Sequence, residues 1–399
     1  MADLTLQITR IAHGGEGIGH DDTGRVVFVP GAVPGDTVRA TPTTVKKRWA
    51  RAELVQVVEP ADIRDPHACP AAAAGAGCCD YSNIAPAAHL GLKRDVLLGQ
   101  LRHLGGAGEL GDALETVALE PTLGWRTRVR LGVDPSGRAG VRRGRSRDVV
   151  ASERCAQPVA GLLDGLVADD EGERFTPSVE VVAVMDATGQ RHVVETQRVE
   201  RGRRVEAIDT VREGTGVVTE RVHGREFTFP ATAFWQAHRA APEAYAELIA
   251  DWGAGAYERA DAWDLYGGVG AFVPAIASAT SGVRVHTVDS SPAAGATPQP
   301  ALAGFDVEVV GGKVEASVAT LPAPSLVVLD PPRAGAGAEV VATIAAAAPE
   351  RVLHIGCDPA TLARDLAAWL THGYRPTRIA LIDAFPATHH FETIVQLEK

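Results

Sequence analysis

From Pro242 onward the chain alternates short apolar runs with segments of crossover length, and this grammar restricts the possible folds most severely. APEAYAELIADW reads as a helix, and AWDLY, RVHTVD, SLVVLD and RVLHIG read as strands buried on both faces. Helical or loop segments separate them, PATLARDLAAWLTHG being the clearest. Buried strands joined by such crossovers build a parallel, doubly wound sheet. The last two apolar runs, TRIALIDAF and HHFETIVQLEK, are expected to pair as a hairpin at one edge.

The first part of the chain is built differently. LTLQITRIA, RVVFVPGAV, DTVRAT and RAELVQVVE are β-type runs separated by Gly, Pro and Asp turns. About five short strands in so few residues predict a small barrel of the oligonucleotide-binding kind. Residues 60–66 read as a linker, 67–85 as an irregular loop rich in Cys, Ala and Gly, and LKRDVLLGQLRHLGG as a helix stopped by its glycines. From Trp125 to Phe229 two hairpins are expected, RVRLGVD with SGRAGVRR and VEVVAVMD with RHVVETQRVE. The expected units are therefore a barrel over 1–60, a β-rich central unit over 61–235 and a Rossmann-like α/β unit over 236–399.

Composition enters where it excludes alternatives. With 399 residues and 45% hydrophobic content, the chain can bury two or three cores. MADLTLQITR lacks a basic segment followed by an apolar one, and no apolar run reaches membrane-span length. The expectation is a cytoplasmic protein without membrane contact, and nothing demands more than a monomer. The net charge of −11 argues against a general polyanion binder. Phosphate contact, however, requires a local basic face only. Lys46, Lys47, Arg48 and Arg51 surround Trp49; a second cluster starts with Arg126 and Arg128 and runs to Arg147; Arg201, Arg203 and Arg204 form a third. Solvated surface is the plainer reading of such clusters.

Asp264-Leu-Tyr-Gly-Gly-Val-Gly270 follows directly on a strand, and its glycines allow a sharp turn that brings backbone close to a ligand. About twenty residues on, Asp289 ends the next strand, where a carboxylate can accept both hydroxyls of a ribose. The turn lacks the GxGxxG spacing that seats a pyrophosphate at a helix start. S-adenosylmethionine is favoured over a nicotinamide dinucleotide, because carboxylates suit its positive sulfonium.

Asp330-Pro-Pro-Arg333 ends SLVVLD, and Cys357 follows RVLHIG. Both stand at the carboxyl ends of parallel strands, where open α/β sheets bind ligands. A helix start and nearby arginines are expected to favour the Cys357 thiolate, although a lone cysteine in apolar sequence is more often structural. Glu392, in HisHisPheGluThr, offers a base. One thiolate and one base are what carbon-5 methylation of uracil requires. Thiolate addition at carbon 6 makes carbon 5 nucleophilic, and the base later removes the carbon-5 proton from a flipped-out nucleotide.

These motifs resemble the TrmA/RumA-like RNA 5-methyluridine methyltransferase family. LQITRIAHGGEGIGHDDTGRVVFVPGAVPGDTVRA is similar to the RNA-binding TRAM domain, and TrpArgThrArg at 125–128 to the family's Tyr-Arg-Asn-type motif. PheTrpGln at 234–236, DLYGGVG, DPPR, CysAspProAlaThr and HisPheGluThr then follow in family order. The resemblance implies Cys357 as nucleophile and Glu392 as proton-abstracting base. It places Gln236, Tyr266, Gly268, Gly270, Ala271, Asp289 and Asp330 around the cofactor or at its methyl end, Ala271 through its backbone. Lys46, Lys47, Arg48, Arg51, Arg126 and Arg128 are the expected RNA contacts, with ribosomal or transfer RNA as substrate. Cys69, Cys79 and Cys155 match ligands of a [4Fe–4S] cluster, while Ala76 stands at the second ligand position and Cys78 is displaced beside Cys79. Lys313 replaces an Asp expected near the adenine, and SSPAAGATPQPAL lacks the usual Asn-bearing helix. Alternative readings are a catalytically impaired RNA-binding or iron–sulfur homologue and a cytosine-5 RNA methyltransferase.

Overall fold

The computed structural model describes residues 3–105, 108–202, 204–295 and 299–399. Arg203 of the third basic cluster and residues 296–298 of SSPAAGATPQPAL lie outside the described residues.

Among the described residues the first unit is a six-stranded sheet of Leu4–Gln7, Arg10–Ile11, Gly17–His20, Val26–Val29, Thr37–Val45 and Trp49–Glu59. Alternation turns Leu6, Val27, Val29, Val38, Ala40, Ala50 and Ala52 inward as its core. The two long strands meet in a hairpin whose tip carries Lys46, Lys47, Arg48 and Trp49, all exposed. Residues 60–66, read as a linker, are tied down. The buried Asp36 carboxylate accepts the Ala61 N–H at 2.9 Å and forms an ion pair with Arg64.

Both hairpins expected in the central unit form, with Gly132 opposite Gly140 and Val182 opposite Val194. The boundaries of that unit differ from the expectation. Helix Pro86–Gln100 buries Val96, Leu97 and Leu98 in the same apolar cluster as Leu362, Leu366 and Trp369. Strand Leu114–Ala118 pairs in parallel with Arg375–Asp383. A terminal hairpin leaves an open sheet edge, and this short strand covers it. Residues 86–118 therefore pack with the C-terminal sheet.

That sheet runs Val307–Gly311, Arg284–Asp289, Asp261–Leu265, Leu326–Leu329, Arg351–Gly356, Glu392–Glu398, Arg375–Asp383 and Leu114–Ala118 among the described residues. Its strands alternate sides, as buried strands must. Ala262, Val285, Leu326, Val328, Leu353 and Ile355 face one core, and Trp263, Leu265, Val327, Leu329 and Val352 the other. The first five strands are mutually parallel, so their carboxyl ends open on one side. Glu392–Glu398 runs antiparallel to Arg351–Gly356 and therefore begins on that same side.

Candidate active site

Register decides the geometry of the site. Gly356 pairs with Thr393, and one step beyond this last pair the chains diverge at Cys357 and Glu392. Both residues line a cavity of about 870 Å³, together with Gln236, Tyr266, Gly268, Asp289, Asp330 and Arg333. Six of the residues marked in the sequence as cofactor-facing or catalytic thus converge with the proposed nucleophile.

The glycine turn is shaped for this approach. Gly268 and Gly270 have φ of 56° and 81°, a region that side chains disfavour. Tyr266 adopts φ of 63°, which bends the chain sharply after its strand. The Gly268 N–H donates to Asp289 Oδ2 at 3.0 Å, and the Ser291 N–H donates to Oδ1 at 2.6 Å. Each carboxylate oxygen keeps lone-pair capacity toward the cavity. Gly270 is buried behind the turn and Ala271 borders a smaller adjoining cavity of about 50 Å³, so neither lines the main one. Lys313 lines the main cavity beside Glu315. Before the residues outside the description, SSPAAGATPQPAL forms only the short helix Pro292–Gly295.

Burial dominates the electrostatics. Gln236 Nε2 donates to the half-buried Asp330 at Oδ2, a long bond of 3.4 Å. Desolvation pushes Asp330 up to about 7. Desolvation, with the Asp330 charge beside it, raises Glu392 well above the usual carboxylate range, and Glu392 Oε2 is buried without a hydrogen-bond partner. Asp264, under the turn, is pushed up to about 7 by burial and by Asp289 and Asp330, against a 3.0 Å hydrogen bond donated by Thr287.

The thiol departs from the expectation. Burial, Glu392 and Asp330 raise Cys357 to about 12, and Arg333 offsets only part of this. In the ligand-free chain the thiol is the resting form. The helix after Cys357 is instead capped by its neighbour, Asp358, which accepts the Ala360 and Thr361 N–H groups at 3.0 and 2.9 Å. Asp358 also pairs at 2.8 Å with His13 of the N-terminal barrel, so the barrel touches the residue adjoining the thiol.

Arg126 lines the cavity, stacks 4.8 Å over the Trp125 ring and is half-buried. Arg128 lies over Phe229 at 5.9 Å and donates to the Ala231 carbonyl. Arg51 pairs with Glu16 at 2.8 Å. Of the expected RNA contacts, Lys46, Lys47 and Arg48 are fully exposed. Phe234, 76% exposed at the cavity rim, and His390, which the Arg333 guanidinium approaches at 3.5 Å, were not singled out from sequence. Their places inside PheTrpGln and HisHisPheGluThr were the available signal.

Cys69, Cys78, Cys79 and Cys155 come together, all four sulfurs within 4.8 Å of one another. The Cys69–Cys78 and Cys79–Cys155 pairs are each 3.7 Å apart.

Comparison with known proteins agrees with this architecture. A family model for tRNA (uracil-5-)-methyltransferase matches residues 322–399, and one for the TRAM domain matches residues 3–55. An uncharacterized RNA methyltransferase of Corynebacterium glutamicum is 50% identical, the match covering 98% of this chain and 95% of that protein. The chain belongs to the tRNA (uracil-5-)-methyltransferase family of RNA methyltransferases. A more distant family relative, an uncharacterized RNA methyltransferase of Streptomyces coelicolor, is 33% identical over 99% of this chain and 93% of its own. The fold of these methyltransferases is shared with a solved structure, Pyrococcus abyssi tRNA (uracil-54, C5)-methyltransferase in complex with S-adenosyl-L-homocysteine. It aligns at a TM-score of 0.73 over 99% of both chains, with 19% identity. The match over 3–55 identifies the N-terminal barrel as a TRAM domain. No helix among the described residues is long and apolar enough to cross a membrane.

Proposed function

We propose that the chain methylates carbon 5 of a uridine in transfer or ribosomal RNA, with S-adenosylmethionine as methyl donor and Cys357 as a transient covalent handle. The observation that carries this reading is the opposition of Cys357 and Glu392 across one cavity that also holds Asp330.

The residues present suit the donor. The cavity exceeds what a nucleoside needs, Asp289 offers carboxylate oxygens to a ribose, and Asp330 and Glu392 are carboxyl groups whose ionised forms a cationic sulfonium would favour. When bound, S-adenosylmethionine would supply an electrophilic methyl group on a cationic sulfonium, the S–CH3 bond breaking to leave neutral S-adenosylhomocysteine. Cys357 releases its proton to solvent, leaving Glu392 free for the later step, and its sulfur bonds to carbon 6 of the uracil, shifting an electron pair toward carbon 5. Carbon 5 takes the methyl group. Glu392 then removes the carbon-5 proton, and the pair left behind expels the Cys357 sulfur. A carboxyl raised by burial is a stronger base once ionised, which suits this abstraction. Arg126, Phe234 and Arg333 at the rim supply a half-buried cation, an aromatic face and a second cation for a flipped nucleotide.

The same geometry supports the uracil reading over a cytosine-5 activity only through the family match to uracil-5 enzymes. A catalytically impaired homologue is disfavoured by the convergence of Cys357, Glu392, Asp330 and Gln236. Nucleoside mass spectrometry of RNA from a strain lacking the gene is the direct test. Loss of 5-methyluridine from one site supports the proposal, and unchanged 5-methyluridine with loss of another mark overturns it.

The four cysteines support a resident metal centre. They do not fit the expected [4Fe–4S] cluster. Each thiolate of such a cluster binds a different iron at an outer corner of the cube, which spreads the ligand sulfurs farther apart than 4.8 Å. No step above passes through this centre.

A further inference from the structure

We infer that Cys69, Cys78, Cys79 and Cys155 hold a single tetrahedral zinc ion, a structural clasp in the place where a four-iron cluster was expected.

The sulfur spacing carries the inference. Zinc–sulfur bonds of about 2.3 Å directed to the corners of a tetrahedron put the sulfurs ~3.8 Å apart. Two pairs here are 3.7 Å apart, and no pair exceeds 4.8 Å. The adjacent Cys78 and Cys79, awkward for a large cluster, need only converge on one small ion. Four thiolates around a closed site are a structural zinc set, with no position left for water or substrate.

The surroundings suit a net negative centre. Cys69, Cys79 and Cys155 are buried, and the Ala156 N–H points at the Cys69 sulfur. The half-buried Arg126 guanidinium lies near Cys155, Cys79 and Cys78 and supplies opposite charge. Without an ion, three separate chain segments would bring four thiols together for weak S–H···S contacts alone.

The clasp also has a structural task. The loop it closes carries Asp80, whose carboxylate accepts the His389 N–H at 3.1 Å and pairs with the His389 ring. The Tyr81 N–H donates to the Ala387 carbonyl at 3.1 Å. Ala387 itself packs in the apolar cluster formed by the cysteines. Residues 387–389 lead directly into Glu392, so the ion would brace the strand entry that delivers this carboxylate to the cavity.

The test uses the full chain, expressed in cells supplied with both iron and zinc and purified without oxygen. Metal and sulfide analysis is expected to find one zinc per chain and no acid-labile sulfide. X-ray absorption at the zinc edge should show only sulfur neighbours at about 2.3 Å, with no metal–metal scattering. Cys78→Ser protein should lose zinc to a chelator that leaves the wild type loaded. Four irons and four sulfides per chain with iron–iron scattering would overturn the inference. So would a metal-free chain that takes up no zinc and whose melting temperature added zinc does not raise. None of these readouts depends on methyl transfer, so they fail or succeed independently of the proposed activity.

Discussion

Cys357 and Glu392 stand opposite each other one step beyond the Gly356–Thr393 pair, held there by an antiparallel ladder that extends back to Arg351 and Glu398. In the proposed mechanism these two groups act in sequence on neighbouring ring carbons, and one register fixes both. The burial that isolates them also raises both their pKa values.

Glu392→Gln separates methyl transfer from release. The thiol and the cavity remain, while the group that accepts the carbon-5 proton is gone. Steady-state turnover is expected to fall by about 10²–10⁴-fold. A denaturation-resistant complex of protein with methylated RNA should accumulate on gels, whereas wild type shows little.

The same substitution should stabilise the ligand-free protein. Burial raises Glu392 above its unfolded value, so the folded chain binds more protons than the unfolded one. Stability from this group is full below about pH 4.5 and is lost as pH rises through the folded value. Asp330 and Asp264, both pushed to about 7, act in the same direction. Differential scanning calorimetry should find Glu392→Gln melting above wild type at pH 8, by about 1 °C for each kcal/mol of relieved charge burial in a chain of this length. The difference should shrink toward pH 4.5.

Asp289→Asn keeps an oxygen for the Gly268 N–H or the Ser291 N–H, but loses the charge and one acceptor. Titration calorimetry should show S-adenosylmethionine binding weakened by roughly 10- to 150-fold, in keeping with loss of a charged hydrogen bond worth about 1.5–3 kcal/mol. The RNA affinity of this variant should stay near that of wild type.

The doubly wound sheet was legible because buried parallel strands leave an apolar signature, and Asp289, Asp330 and Cys357 sit at its strand ends. The order of the last two strands was not. TRIALIDAF and HHFETIVQLEK look equally apolar, and only the fold shows that Glu392–Glu398 lies inside, beside the Cys357 strand. Leu114–Ala118 joins the outer edge although its pairing partner is distant in the chain, and LETVA has no pattern that announces this. Arg126 was expected as an RNA contact, and nothing in an arginine's neighbours reports that it will stack on Trp125 and lie near the cysteine loop. The cysteines read as candidate metal ligands, and they do converge, but sequence spacing carries no sulfur-to-sulfur distance.

At the barrel hairpin, neutralising Lys46, Lys47 and Arg48 to Gln leaves the Arg51–Glu16 pair in place. Three exposed phosphate-reaching cations should contribute about 2–3 to the slope of log affinity against log salt. Filter binding across salt concentrations should show that slope reduced and affinity lowered alike for RNAs of different sequence. An unchanged slope would remove the hairpin from the RNA interface.

The covalent handle is tested most directly by incubating the protein with S-adenosylmethionine and a substrate RNA carrying 5-fluorouridine, then mapping any protein–RNA adduct by peptide mass spectrometry. Fluorine cannot be removed as a proton, so the account expects a stable methylated adduct on the peptide containing Cys357, absent from Cys357→Ala protein. An adduct on another residue, or methyl transfer to ordinary uridine by Cys357→Ala protein, would contradict it.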